Sequence, residues 1–211
     1  MIIIGAKGFA KEVLEIAHQL NLLENLVFFD DISEDSDDLV YNQFKVLRTD
    51  NEVKTHFAEF GNEFTLGIGN PKVRQLLEAK FNSLGGELVS LISPKADIGY
   101  FDVTIKPGAN ILSNVIIANG CKIGKAALIY HNAQITHDCT VGDFCELSPG
   151  ATMLGASQIG NNVSLGANST ILPKITIGNN CIIGSGSVVT KDIPENSIVV
   201  GVPGVIKKSV E

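Results

Sequence analysis

The chain has 211 residues, 45% of them hydrophobic and 18% charged, with no Trp, 10 Phe and 21 Gly. That length carries one or two domains with real cores, and the composition is too apolar for a disordered chain and too lightly charged for a coiled coil. With 16 Lys+Arg against 23 Asp+Glu the net charge is -7, which opposes broad contact with nucleic-acid backbones.

Met1-Ile2-Ile3-Ile4 is a β-type run that meets Gly5 with no basic segment ahead of it, so it reads as a strand and not as a signal peptide. No apolar run reaches the roughly 18 residues of a membrane helix. A cytoplasmic, reducing compartment is therefore expected. After Gly5-Ala6-Lys7-Gly8, the residues Val13, Ile16, Ala17 and Leu20 recur at helical spacing. A second run, Leu26 to Phe29, ends in Asp30-Asp31, and Glu34, Asp35, Asp37 and Asp38 read as a solvated acidic loop. A third run, Phe64 to Ile68, ends in Gly69-Asn70-Pro71 and leads into the helical pattern Val73, Leu76, Leu77, Lys80. Strands alternating with helices predict a Rossmann-like parallel sheet whose ligands lie at the carboxyl ends of its strands. Gly5 and Gly8 are spaced G-x-x-G instead of G-x-G-x-x-G, which argues against a dinucleotide such as NAD.

Residues 1–90 carry 8 basic and 15 acidic side chains, the whole net charge, whereas residues 91–211 carry 8 of each. Two domains are expected, 1–90 and 91–211. In the second, every sixth residue from Ile105 to Val189 is a large aliphatic, fifteen positions in a row. Two residues before each lies a small or aliphatic residue, from Val103 to Ser187. An α-helix cannot hold a period of six on one face. Short strands turning a corner every six residues can, three to a coil of 18, with both registers facing inward. The pattern predicts a left-handed parallel β-helix of hexapeptide repeats. The glycines at 124, 142, 160, 166, 178 and 184, each directly after an inward aliphatic, are expected at corners with unusual backbone dihedrals.

Cys121, Cys139, Cys145 and Cys181 all fall in the small inward register, so they read as reduced, structural thiols and not as metal ligands. Only seven charged residues interrupt positions 103–189, and Asp138, Asp143 and Glu146 are the three acids among them, with His137 immediately before. By the 18-residue stacking rule His137 lies between Asn119 and Gly155, with Pro173 and Lys191 continuing the same edge. An imidazole on that edge supplies a base and the Gly155 N–H an oxyanion donor.

The stretch Ile135-Thr136-His137-Asp138-Cys139-Thr140-Val141-Gly142-Asp143-Phe144, then Leu147-Ser148-Pro149-Gly150-Ala151 and the closing Val200-Gly201-Val202-Pro203-Gly204, resemble the hexapeptide-repeat acetyltransferases. Over nearly its whole length the chain is similar to the bacterial sugar acetyltransferases that include sialic acid O-acetyltransferases and N-acetyltransferases of nucleotide-linked 4-amino sugars. The resemblance implies acetyl-CoA as donor without a metal, a homotrimer with active sites between adjacent β-helices, and the His of the His-Asp pair as general base. On this reading His137 takes the acceptor's proton, Asp138 orients it, with Asp143 as a second candidate, and the Gly155 N–H receives the thioester oxyanion. Glu146, Gly155, Lys174 and Lys191 contact the donor, with Lys207 and Lys208 as further cations for its phosphates. Gly5, Gly8, Asp30, Asp31, Gly69 and Asn70 hold the nucleotide part of a sugar nucleotide. Glu146 and Phe9 stand where relatives often carry histidines. The expected activity is N-acetylation of a nucleotide-linked amino sugar in bacterial surface-glycan synthesis, with O-acetylation of sialic acid or a related sugar as the alternative. A non-catalytic β-helix that binds sugar nucleotides is the alternative from another class. A γ-type carbonic anhydrase lacks its third histidine, since only His131 and His137 lie in the repeat.

Overall fold

The computed structural model describes residues 1–32 and 38–210, which form two compact units, Met1–Leu91 and Ile92–Glu211. Of the acidic loop, Glu34, Asp35 and Asp37 lie outside the described residues, and Asp38 is exposed.

The first unit runs β1 (Ile2–Ile4), α1 (Gly8–Gln19), β2 (Val27–Phe29), β3 (Leu39–Val40), β4 (Phe44–Leu47), α2 (Asp50–Phe60), β5 (Glu63–Leu66), α3 (Pro71–Ser83) and β6 (Glu87–Leu88). Its sheet has the order β3-β4-β2-β1-β5-β6, parallel throughout except where β3 meets β4. Ile2, Ile3 and Ile4 are all buried, as a central parallel strand covered on both faces requires. The chain leaves β1 in one direction to β2 and β4 and returns to its other side at β5, which opens a crevice at the carboxyl ends of β1 and β5. The β3–β4 hairpin, α2 and β6 were not anticipated from sequence. Helix α2 begins with a capping box: the Thr49 hydroxyl accepts the Glu52 N–H at 3.3 Å, and the Glu52 carboxylate accepts the Thr49 N–H at 3.0 Å.

The second unit is the left-handed parallel β-helix that the period predicts. Two-residue strands pair in parallel along three sheets, and from Thr104 to Val189 each residue pairs with the one 18 further on, as in Lys122 with Thr140 and Ile135 with Met153. The six-spaced aliphatics and the small residues between them form one continuous core. All four cysteines are buried and free. Their thiols donate to carbonyls of the next coil, Cys121 to Thr136 at 3.1 Å and Cys145 to Gly160 at 2.9 Å, and burial pushes the Cys121 and Cys181 thiols up.

The corner glycines are not where the backbone is unusual, and that expectation is corrected. Gly124, Gly142, Gly160, Gly166, Gly178 and Gly184 are absent from the positive-φ positions, which fall on every sixth residue from Asp102 to Gly186. Eleven of those fifteen are Gly, Asn or Asp, the residues that tolerate the left-handed region. The glycines answer a different demand. A Cβ on Gly124 would stand 2.3 Å from the Gly142 carbonyl carbon, and one on Gly142 would stand 2.4 Å from the Gly160 oxygen. Coils stack there with no room for a side chain.

The repeat changes length at both ends. Ile116 pairs with Asp97, 19 residues away, so the corner at 99–103 holds one residue more than those above it. Beyond Val189 the spacing drops to 16, with Ile182 opposite Ile198. The strand Ser197–Val200 then pairs antiparallel with Val205–Ser209.

Candidate active site

His137 stands on the edge where the sheet containing Gln134–Ile135 turns into the sheet containing Thr140–Val141. Its backbone is fixed by its neighbours: the Asp138 N–H donates to the Asn119 oxygen at 3.1 Å, and the His137 oxygen accepts the Ala156 N–H at 2.9 Å. The ring is 68% exposed and the Asp138 side chain 67%. Nδ1 lies 2.9 Å from Asp138 Oδ2. An ionised carboxylate only accepts, so in the neutral imidazole this contact puts the proton on Nδ1 and the lone pair on Nε2. The Asp138 turn has φ 61°, a conformation that Asp adopts readily, and it brings the carboxylate back onto the ring.

Two glycines frame this pair. A Cβ on Gly155 would fall 2.7 Å from His137 Nε2 and 2.8 Å from Cε1, so the imidazole lies against the bare Cα one coil further on. A Cβ on Gly120, one coil before, would crowd Asp138 Oδ1. The Gly155 N–H makes no hydrogen bond among the described residues, while its oxygen accepts the Lys174 N–H at 2.9 Å. The base nitrogen therefore lies against a residue whose main-chain N–H is unengaged among the described residues. Sequence reasoning found His137, Asp138 and Gly155 by stacking and overlooked Gly120, although Gly120 is 18 residues before Asp138 and sits in the same turn register.

Other expected residues fall elsewhere. Asp143 lies on a different edge, where it accepts from Lys106 Nζ at 3.1 Å and from the Lys125 N–H at 2.8 Å. Burial alone would raise its carboxyl, but those hydrogen bonds outweigh that and hold it low; of the two acids, Asp138 is the one bonded to His137 within the chain. His131 also occupies another edge, its Nδ1 3.2 Å from the Ser113 oxygen. Glu146 is on the sheet containing Leu128 and Ser164, the face opposite the His137 edge. Lys174 is exposed on the His137 edge. Lys191 is exposed in the shortened corner after Val189 and so lacks the 18-residue equivalence expected for it. Among the described residues no cluster of His, Cys, Asp and Glu could hold a metal, and no helix is long and apolar enough to cross a membrane.

In the first unit a cleft of about 380 Å³ opens at the carboxyl ends of β1, β2 and β5, lined by Gly5, Gly8, Phe9, Asp30, Asp31 and Gly69 among others. Gly5 has φ 98°, and a Cβ there would meet Ile68 at 2.9 Å. Helix α1 starts at this cleft without a side-chain cap or an acid in its first turn, which leaves its positive end toward the cavity. Asp30 Oδ1 accepts the Ile32 N–H at 3.2 Å. Asp31 is held 2.9 Å from Lys80 Nζ, which also reaches Asp50 at 2.9 Å. Burial pulls the Lys80 ammonium down, but its hydrogen bonds to both acids and their charges outweigh this and keep it raised. Asn70 does not line the cleft. Its side chain caps α3 by accepting the Val73 N–H at 3.2 Å.

Residues 120–155 and 156–191 each match the bacterial transferase hexapeptide (six repeats) family, and residues 1–81 match the PglD N-terminal domain. Among solved structures, perosamine N-acetyltransferase from Caulobacter crescentus, in a mutant form with CoA and GDP-perosamine, is 29% identical over 99% of this chain and 96% of its own, with a TM-score of 0.90. The acetyltransferase domain of PglB from Neisseria gonorrhoeae with acetyl coenzyme A is 27% identical over 98% of both chains, TM-score 0.86. WeeI from Acinetobacter baumannii is 27% identical over 98% of both chains, TM-score 0.87. No curated protein matches the sequence.

Proposed function

We infer that this chain, which belongs to the bacterial hexapeptide-repeat transferases that carry a PglD-type N-terminal domain, transfers the acetyl group of acetyl-CoA to the amine of a nucleotide-linked amino sugar. One observation carries the reading: His137 Nδ1 is bonded to Asp138, and Nε2 lies over the bare Cα of Gly155, a residue whose N–H is unengaged among the described residues. In the reaction the neutral acceptor amine attacks the thioester carbonyl carbon. The amine proton passes to His137 Nε2, charge builds on the carbonyl oxygen against the Gly155 N–H, and the C–S bond breaks to release CoA thiol after it takes up a proton. Asp138 keeps the ring in the tautomer that leaves Nε2 free and favours the imidazolium as it forms. The buried cysteines take no part, so transfer is direct.

The cleft in the first unit suits a nucleoside diphosphate: Gly5 and Gly8 allow close backbone approach, and the start of α1, with no acid in its first turn, favours phosphate. Asp30, Asp31 and Gly69 line it as contacts for base and ribose, and Asn70 contributes by starting α3. Gly155, Lys174 and Lys191 are assigned to the donor. Glu146, on the opposite face, joins them only if a second copy of the chain brings it there, which favours a homotrimer with sites shared between neighbours. The enzyme acts in the cytoplasm, the compartment of both co-substrates. C. crescentus perosamine N-acetyltransferase, by its complex with CoA and GDP-perosamine, supports N- over O-acetylation.

The test is thiol release from acetyl-CoA with UDP-, GDP- and dTDP-linked 4-amino sugars and with sialic acid. At least one amino-sugar nucleotide is expected to turn over, and His137→Ala is expected to lower kcat about 10²- to 10⁴-fold. Turnover of sialic acid alone would move the reading to O-acetylation. Inert wild-type protein, or turnover indifferent to His137, would overturn it.

A further inference from the structure

The extra residue in the first full coil falls on the His137 edge. The corner at 99–103 stacks directly before the Asn119–Gly120 corner, and that one stacks before His137–Asp138: the Phe101 N–H donates to Asn119 Oδ1 at 3.1 Å, and the Gly120 N–H donates to the Phe101 oxygen at 2.9 Å. A Cβ on Gly99 would stand 2.3 Å from Asn119 Oδ1. The backbone of this corner is thus clamped by the next coil. Its two side chains are not: Tyr100 is 96% exposed and Phe101 73%. Two adjacent aromatics left in water on a rigid corner are an apolar surface without a structural use among the described residues.

Position along the edge says what they meet. The Gly155 N–H and Lys174 lie on the side of the imidazole toward higher residue numbers, so the thioester approaches from there. An amine that attacks the carbonyl while giving its proton to Nε2 then extends the other way, over Asn119 and Gly120. Tyr100 and Phe101 stand two strand spacings from His137 in that direction, roughly 10 Å. Resting on the acetyl-transfer reading above, we propose that Tyr100 and Phe101 form the acceptor platform, taking the C–H face of the hexose ring and so selecting a sugar with an apolar face over one ringed by hydroxyls. The enlarged corner exists to push these rings out of the prism.

Two measurements decide it. For steady-state kinetics, Tyr100→Ala, Phe101→Ala and the double variant are assayed by thiol release with whichever amino-sugar nucleotide the wild type acetylates. The acceptor KM is expected to rise roughly 10- to 100-fold, the loss of a buried aromatic contact, with the acetyl-CoA KM within about twofold and the solution mass unchanged. For binding without turnover, Phe101→Trp installs the one tryptophan of the chain, whose emission lies to the red of tyrosine and is read selectively. Its emission is expected to shift with UDP- or GDP-linked 4-amino sugar and not with CoA. A change in acetyl-CoA KM instead, an unaltered acceptor KM, or dissociation of the assembly in the alanine variants overturns the platform. A wild type inert on every acceptor overturns the function proposed above, and the fluorescence response still decides the platform.

Discussion

Gly155 serves the site twice, by leaving space for the imidazole and by offering its N–H, and the two duties separate experimentally. Gly155→Ala places a methyl 2.7 Å from His137 Nε2. The ring is exposed and swings away at little cost, so the melting temperature holds within about 2 °C while kcat falls about 10²-fold, the penalty of displacing a reacting group by about 1 Å. Equal losses of stability and activity would show instead that the glycine serves coil stacking. Asp138→Asn retains a residue suited to the positive-φ turn but offers the ring an amide. It is expected to melt like the wild type with kcat lowered about 10²-fold, measured by the same thiol assay. His137, Asp138 and Gly155 were legible because a period of 18 converts directly into adjacency. Asn70 is ambiguous for the opposite reason: the chemistry of Asn serves a helix cap, which it makes here, as well as a ligand, and sequence alone does not say which.

Among the elements, those with one clean period were readable and those defined by context were not. The strands β1 and β2 stand as continuous apolar runs, and β5 is marked by Phe64 and Leu66 on either side of a buried Thr65. β4 alternates over only four residues, and α2 buries little besides Val53 and His56, so neither rises above its surroundings. The capping box Thr49-x-x-Glu52 was the available signal for α2. Thr49→Ala is expected to cost about 1 kcal/mol in urea unfolding. His56 marks the same helix by its pH response. Burial brings its imidazole down to about 4 from 6.5, and Nε2 has no hydrogen-bond partner among the described residues. The neutral ring is the native form and the unfolded chain protonates first, so this contribution is complete above about pH 6.5 and is lost as the pH falls toward 4. It amounts to roughly 3 kcal/mol. His56→Leu should flatten the fall in unfolding midpoint across that window, and an unchanged slope would assign it to other groups. In the β-helix the aliphatic register is plain from the sequence, whereas the turn register of Asn, Asp and Gly is not. Its rule is steric and appears only once φ is known.

For the molecule as a whole, light scattering is expected to return three times the 22.5 kDa chain mass. A monomeric mass would leave Glu146 on a face remote from the His137 edge and remove it from the donor site. The concentration of the entire -7 charge in residues 1–90 was visible from the start, as was the change of composition near residue 91, because a repeat has no use for long charged side chains at inward positions. A pile of equal coils, however, contains no instruction to stop. Its terminal rung is a template for any extended segment, including one from another molecule, and such growth is how filaments are seeded. Here the final parallel strand, Ser197–Val200, is met by a strand running the other way, Val205–Ser209, whose residues are all exposed and include Lys207 and Lys208. Charged side chains on an edge strand oppose further pairing, so a chain ending at Gly204 should polymerise on standing where the full chain stays dispersed.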